Sequence, residues 1–348
     1  MLAAYSVQLR SIGSKTLQAG LLSCLTVVAS AQIATGAQAL PRSDAAYVLR
    51  DGTVQVVTFA GMAGIIDRLN QLYASTHPGV RFKVAEGDNY STMAALTFDR
   101  TAFAPLGSAY TRIGLGDNLK IAAEPIGLRI AHASLTPGAR VPALGVIVNA
   151  SNPLTSLSLA QLVRIFAVGA PSGDIATWGQ AGVKGLLAER AIHPFGPPAS
   201  DYTDSDDPQA GEFLSIEKMS SLNMNHSYTG LSHYTDIVQR VSEDPAAIAI
   251  TALNVPLSGV KVIALKNTEA GAALDATAAN IAAGRYPLDR YIYIYLRVGK
   301  GMPLDEFGKE YMRMVLSEEG QRVIAQEAAG YIPLSAGELA EERAKLDR

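Results

Sequence analysis

Cysteine is nearly missing: Cys24 is the only one in the chain. It lies in an N-terminal stretch that reads as a cleavable leader, so the mature protein has no thiol. Disulfides and thiolate metal sites are thereby excluded. Histidine is scarce, and His77, His132, His193, His226 and His233 show no zinc-type pairing. No G-x-S-x-G elbow occurs, and Gly114-Leu115-Gly116 lacks the remaining glycine of a dinucleotide loop. There is no excess of positive charge either. A formal net charge of −3 and a pI near 6.0 argue against a nucleic-acid partner, which would want a basic face. The apolar run Gly20 to Ala31 falls short of the ~20 residues a bilayer-crossing helix needs. No internal repeat is visible, which removes the solenoids.

What is present begins with that leader. Arg10 and Lys15 give a positive start, the apolar run follows, and Ala37-Gln38-Ala39 supplies small residues at the spacing signal peptidase reads. Residues 1–39 are therefore read as a signal peptide, and the mature chain as periplasmic. Leu21-Leu22-Ser23-Cys24 loosely resembles a lipobox, but Leu22 is bulky for its place and the apolar run continues to Val28. The remaining chain, about 300 residues, is long enough for two lobes with real cores. With 48% apolar and 18% charged residues it has an ordinary globular composition.

Strand-like and helix-like stretches alternate. Thr53–Phe59 is rich in β-branched residues, and Ile65, Ile66, Leu69 and Leu72-Tyr73 then fall at helical spacing. His77-Pro78-Gly79 stops that helix. Val80–Val84 alternates as a half-buried strand should, and a turn at 86–89 leads to a helix carrying Met93, Leu96 and Phe98. Further strands are predicted at Gly145–Asn149, Ala247–Leu253, Lys261–Leu265 and Tyr291–Arg297. One last helix is predicted from about Pro303 to Gln326. The order implies α/β architecture built from βα units around a mostly parallel sheet.

One stretch carries a likeness. Val146-Ile147-Val148-Asn149 through Asn152-Pro153-Leu154, Leu159, Leu162, Ile165-Phe166, Gly169 and Thr177-Trp178 resembles the hinge-and-helix segment of the PstS-like phosphate-binding-protein family. Four weaker likenesses follow in the family's order. They are Phe59–Ala63 with His77–Val80, Asp244–Ala249, Arg285–Tyr293, and Val315–Gln321 with Gly330–Leu334. The resemblance implies the periplasmic-binding-protein type 2 fold, with two α/β lobes joined by two hinge strands around an interlobe cleft. It implies a first lobe at 40–144, a second at 145–254, and a return to the first at 255–348 that ends in a C-terminal helix. It implies a receptor rather than an enzyme: a secreted, monomeric protein that captures a small oxyanion and presents it to an ABC-type permease. No cofactor and no metal belong to that picture. The alternative is the same scaffold with an altered cleft, binding another ligand or serving envelope sensing or adhesion.

In such a receptor, helix N-termini and hydroxyls hold the anion. The resemblance places Ala60, Gly61 and Met62 in a first loop, Asn89, Tyr90, Ser91 and Thr92 in a second, and Ser108 in a third. Ser200 and Tyr202 would reach in from the second lobe. The chain also departs from the family. Its second loop reads Gly87-Asp88-Asn89 where the family has a Gly-Ser-Gly run, and Ser108 is followed by Ala109, without a carboxylate. The second lobe lacks the family's arginine and Ser-Gly-Thr. It carries Asp201, Asp204, Asp206 and Asp207 instead, a run that repels an anion unless it points away. Asp204 and Asp206 have calcium-loop spacing, but Gln209 stands where the loop's glycine must be. Trp178 is read as core.

Overall fold

The computed structural model describes residues 39–110, 122–199 and 205–347. Cys24 and all but the last residue of the leader lie outside them, as do Ser200 to Asp204.

Strands β1 (Val54–Phe59) and β2 (Phe82–Gly87) flank helix α1 (Ala60–Thr76) and pair in parallel, Val54 opposite Phe82. This is the expected βαβ unit. Helix α1 buries Met62, Ile65, Ile66, Leu69 and Tyr73, the three-and-four spacing that lays one stripe against a sheet. Then come α2 (Asn89–Thr97), β3 (Ala104–Leu106), β4 (Ile126–Ser134), β5 (Leu144–Asn149) and β6 (Ser156–Ser158). Helix α3 (Leu159–Phe166), β7 (His193–Gly196) and α4 (Ala210–Phe213) follow, the last running into a π-helical turn at Leu214–Lys218. The chain continues through β8 (Thr229–Gly230), α5 (Tyr234–Glu243), β9 (Ala247–Ala252) and β10 (Val260–Lys266). It closes with α6 (Ala278–Ala282), β11 (Tyr291–Leu296), α7 (Glu306–Val315), α8 (Glu318–Ala325), β12 (Tyr331–Pro333) and α9 (Ala336–Lys345).

Two larger sheets result. One has the order β12-β4-β11-β3 and every pairing in it is antiparallel. The β1–β2 pair is joined to its edge: Ala102 N–H donates to Gln55 O at 3.0 Å, and Val57 N–H to Thr101 Oγ1 at 2.8 Å. The other sheet has the order β6-β10-β5-β9-β7-β8 and is mixed. The mostly parallel sheet expected from the sequence is thus corrected. The chain crosses to the second sheet on β5 and runs back beside it on β9, and such neighbours must be antiparallel. Strands β5 and β9 are buried at every position, as strands covered on both faces are. Strand β10 also pairs with β5, so the second sheet draws on residues beyond 254.

The single last helix is a second correction. It is two helices, α7 and α8, because Ser317 leaves helical geometry and its hydroxyl caps α8, accepting from Gly320 N–H at 3.1 Å. Pro303 precedes the N-cap Asp305 instead of opening the helix. Trp178 is wholly buried, its indole N–H donating to Ala246 O at 3.0 Å.

Candidate functional site

A cavity of about 360 Å³ opens where the start of α1, the β2–α2 turn, the loop after β3, Arg140 and segment 205–212 come together. The start of α1 is its most telling wall. Phe59, the N-cap, offers no side-chain acceptor, and the first turn holds no acidic residue. The amides of Ala60, Gly61 and Met62 therefore keep the partial positive charge of an uncovered helix end. A methyl group added to Gly61 would sit 2.6 Å from Arg140 Cβ, so only glycine lets this turn approach the arginine. Arg140 itself is exposed on the cavity wall, and it forms no ion pair with another described residue.

The start of α2 behaves differently. Asp88 caps it, Oδ1 accepting from Ser91 N–H at 2.6 Å, while Asp88 N–H donates to Ser91 Oγ at 2.8 Å. The Ser91 amide beside it holds the Asp88 carboxyl below its ordinary range. This helix end already has its negative charge, supplied from within the chain.

In the third loop Ser108 lines the cavity and is 4% exposed. Beyond it, Tyr110 N–H donates to Tyr295 OH at 2.8 Å. Burial raises the Glu217 carboxyl above its usual range. Segment 205–212 forms the facing wall. There Asp207 accepts two bonds from the wholly buried guanidinium of Arg290, that from Nη2 at 3.1 Å, and a third from Tyr234 OH at 3.1 Å. Burial works against the charge of Arg290, but Asp207 beside it outweighs that and raises its pKa. Asp206 accepts from Tyr234 N–H at 2.8 Å. Two of the aspartates expected to repel an anion are thus tied into the fold.

Of the residues chosen from sequence, Ala60, Gly61, Tyr90 and Ser108 line the cavity. The side chains of Met62 and Thr92 are wholly buried, so Met62 can offer only its amide. Ser91 is engaged in the α2 cap, Asn89 opens α2, and Ser200 and Tyr202 lie outside the described residues. Sequence reasoning missed Arg140, Phe59, Gln209 and Glu212, which also line the cavity, as does Tyr110 at the end of the third loop. The turn Pro137-Gly138-Ala139-Arg140 carries no local mark of a ligand; only folding brings it beside α1.

A profile of the PBP superfamily domain matches residues 48–319, a span that contains every cavity-lining residue. The chain belongs to the PBP superfamily. Among curated relatives, this PBP-superfamily chain is 25% identical over 325 residues to the phosphate-binding protein PstS of Pseudomonas aeruginosa. That match covers 91% of this chain and 95% of the relative. An ABC-type phosphate transport receptor from Vibrio cholerae superposes with a TM-score of 0.54 at 20% identity, covering 81% of this chain and 99% of that one. PstS from Borrelia burgdorferi gives 0.54 at 14% identity, covering 82% and 99%. These structures support the type 2 fold implied by the motifs. Among the described residues no helix is long and apolar enough to cross a membrane.

Proposed function

We propose that the protein is a secreted receptor that captures a small phosphate-like oxyanion between two lobes and hands it to an ABC-type permease. One observation carries the reading: the uncapped start of α1 opens, beside Arg140, which makes no ion pair among the described residues, into a cavity of about 360 Å³. Backbone amides and a guanidinium both bind tetrahedral oxyanions without any change of protonation. The 25% identity to PstS along almost the whole chain supports the same reading. The binding residues proposed are the amides of Ala60, Gly61 and Met62, the Ser108 hydroxyl and Arg140, with Tyr90 on the rim. Asn89, Ser91 and Thr92 support the site through α2, and Ser200 and Tyr202 are kept as second-lobe contributors. The first lobe comprises 40–144 with the C-terminal part of the chain, and the second begins at 145. Residues 1–39 direct export to the periplasm, and the receptor acts as a non-catalytic monomer.

Isothermal titration of the mature protein with phosphate-type and unrelated anions tests this. Saturable one-to-one binding of a phosphate-type anion is expected. A flat response across the whole panel would remove the receptor reading.

A further inference from the structure

Strands β1 and β2 end side by side, Phe59 opposite Gly87, so α1 and α2 begin beside each other, and both starts line the cavity. Only one of the two is open. Helix α1 has no side-chain cap, whereas the Asp88 carboxylate accepts from Ser91 N–H at 2.6 Å and occupies the place of a bound anion at α2. The donors that remain stand together around the Phe59 ring. A methyl group on Gly107, next to Ser108, would lie 3.3 Å from Phe59 Cζ, and one on Gly61 would overlap the same ring and the Arg140 stem. The α1 amides, Arg140 and the Ser108 hydroxyl can therefore grip an oxyanion from one side, while α2 has no open end to take its remaining oxygen.

The space points the same way. About 360 Å³ is room for roughly a dozen waters at ~30 Å³ each. It falls within the range of about 300–1,000 Å³ typical of sites for organic ligands. A bare tetrahedral oxyanion fills only a small part of it. Beyond the donors the walls are rings: Tyr90, 52% exposed, stands beside Asp88, Tyr110 follows Ser108 and Ala109, and Pro208 lies on the same cavity. Covering an exposed ring with flat apolar surface is favourable, through the area removed from water and through stacking.

Resting on the receptor reading above, we propose that the ligand is an organic phosphate, a phosphomonoester whose arm is flat and apolar. Three phosphoryl oxygens take the α1 amides, Ser108 and Arg140. The ester oxygen points away from these donors, and its arm lies against Tyr90 and Tyr110.

Calorimetry on the mature protein compares orthophosphate, methyl phosphate and phenyl phosphate, at a pH where all three are dianions. The last two share the monoester head and differ only in the arm. Phenyl phosphate is expected to bind at least about tenfold tighter than either, the order of one well-packed aromatic contact. Tyr90→Ala should narrow its lead over methyl phosphate. Asp88→Gly, at a position where glycine is tolerated, opens the start of α2 and should tighten orthophosphate. Weaker orthophosphate in that variant would mean that Asp88 accepts a proton from the anion, and the one-sided grip would be wrong. Phenyl phosphate binding no tighter than orthophosphate or methyl phosphate would overturn the organic arm and leave the receptor reading standing. Binding of none of the three would remove both. The wild-type comparison decides the matter even if a variant fails to fold.

Discussion

Arg140 and Gly61 depend on each other. The glycine lets the first turn of α1 approach the arginine stem, and the arginine brings the cation that the helix end alone cannot supply. Arg140→Gln should weaken binding of any phosphate-type anion by about 1.5–3 kcal/mol, the usual size of a hydrogen bond to a charged group. Because Arg140 is exposed and makes no ion pair with another described residue, its thermal midpoint should stay near wild type. Calorimetry and a melt on the same preparation check both halves, and an unchanged affinity would remove Arg140 from the site. Ser91 should show the opposite pattern. Ser91→Ala removes the N3 half of the α2 capping box, the acceptor of the Asp88 amide, and should cost about 0.5–1.5 kcal/mol of stability, the size of one hydrogen bond. Residue-scale roles of this kind were only half legible. Gly61 and Ser108 stand in the family's loop order, whereas Arg140 reaches the cavity through a turn whose local sequence says nothing of it.

At the scale of elements, legibility followed periodicity and burial. Strands β5, β9, β10 and β11 were read nearly to the residue because their short runs of β-branched, aromatic and other apolar residues are clearly bounded. The break between α7 and α8 was not read, since Ser317 interrupts the backbone without disturbing the apolar spacing. Helix α9 was missed, because the last helix expected from the sequence ended at Gln326. It is held by a network more than by a greasy face: Ser335 and Glu338 form a capping box, Tyr291 OH donates to Glu338 at 2.7 Å, and Arg129 pairs with Glu342. Burial pushes the Glu338 carboxyl up, but the Ser335 and Tyr291 hydroxyls outweigh that and hold it below 4.5. A carboxyl depressed on folding adds stability that is complete above its unfolded pKa and is lost as pH falls through the folded value. The melting temperature should therefore drop from about pH 4.5 downward. Glu338→Gln should lower it near neutrality and flatten that acid limb, as melts between pH 3 and 7 would read. An acid limb of unchanged slope in the variant would exclude Glu338 as its source.

For the whole molecule, five short likenesses in the right order were enough to foresee the periplasmic-binding-protein fold. They did not foresee that segment 205–212 would be tied to the residue before β11 through buried charge. Arg290 and Asp207 lie more than eighty positions apart, and neither stands in a motif that pairs them. Removing one partner of a buried ion pair typically costs about 3–5 kcal/mol, because the other charge stays uncompensated. In Arg290→Met that penalty falls on the closed form alone, since opening gives Asp207 back to water. The variant should populate an open form without ligand, visible as a larger radius of gyration in small-angle scattering. Replacing Asp207 by Leu as well should restore part of the compaction. Equal radii in wild type and Arg290→Met would mean that the pair does not govern closure.

In the receptor proposed above, a cavity whose sides are already held together by their own charges admits cargo only when they part. The speed of loading is then set by that parting as soon as cargo is plentiful. In rapid mixing, the observed rate should climb with concentration, bend, and level off at the opening frequency. Loosening the Arg290 grip should lift that plateau, while the cargo, once aboard, would leave sooner.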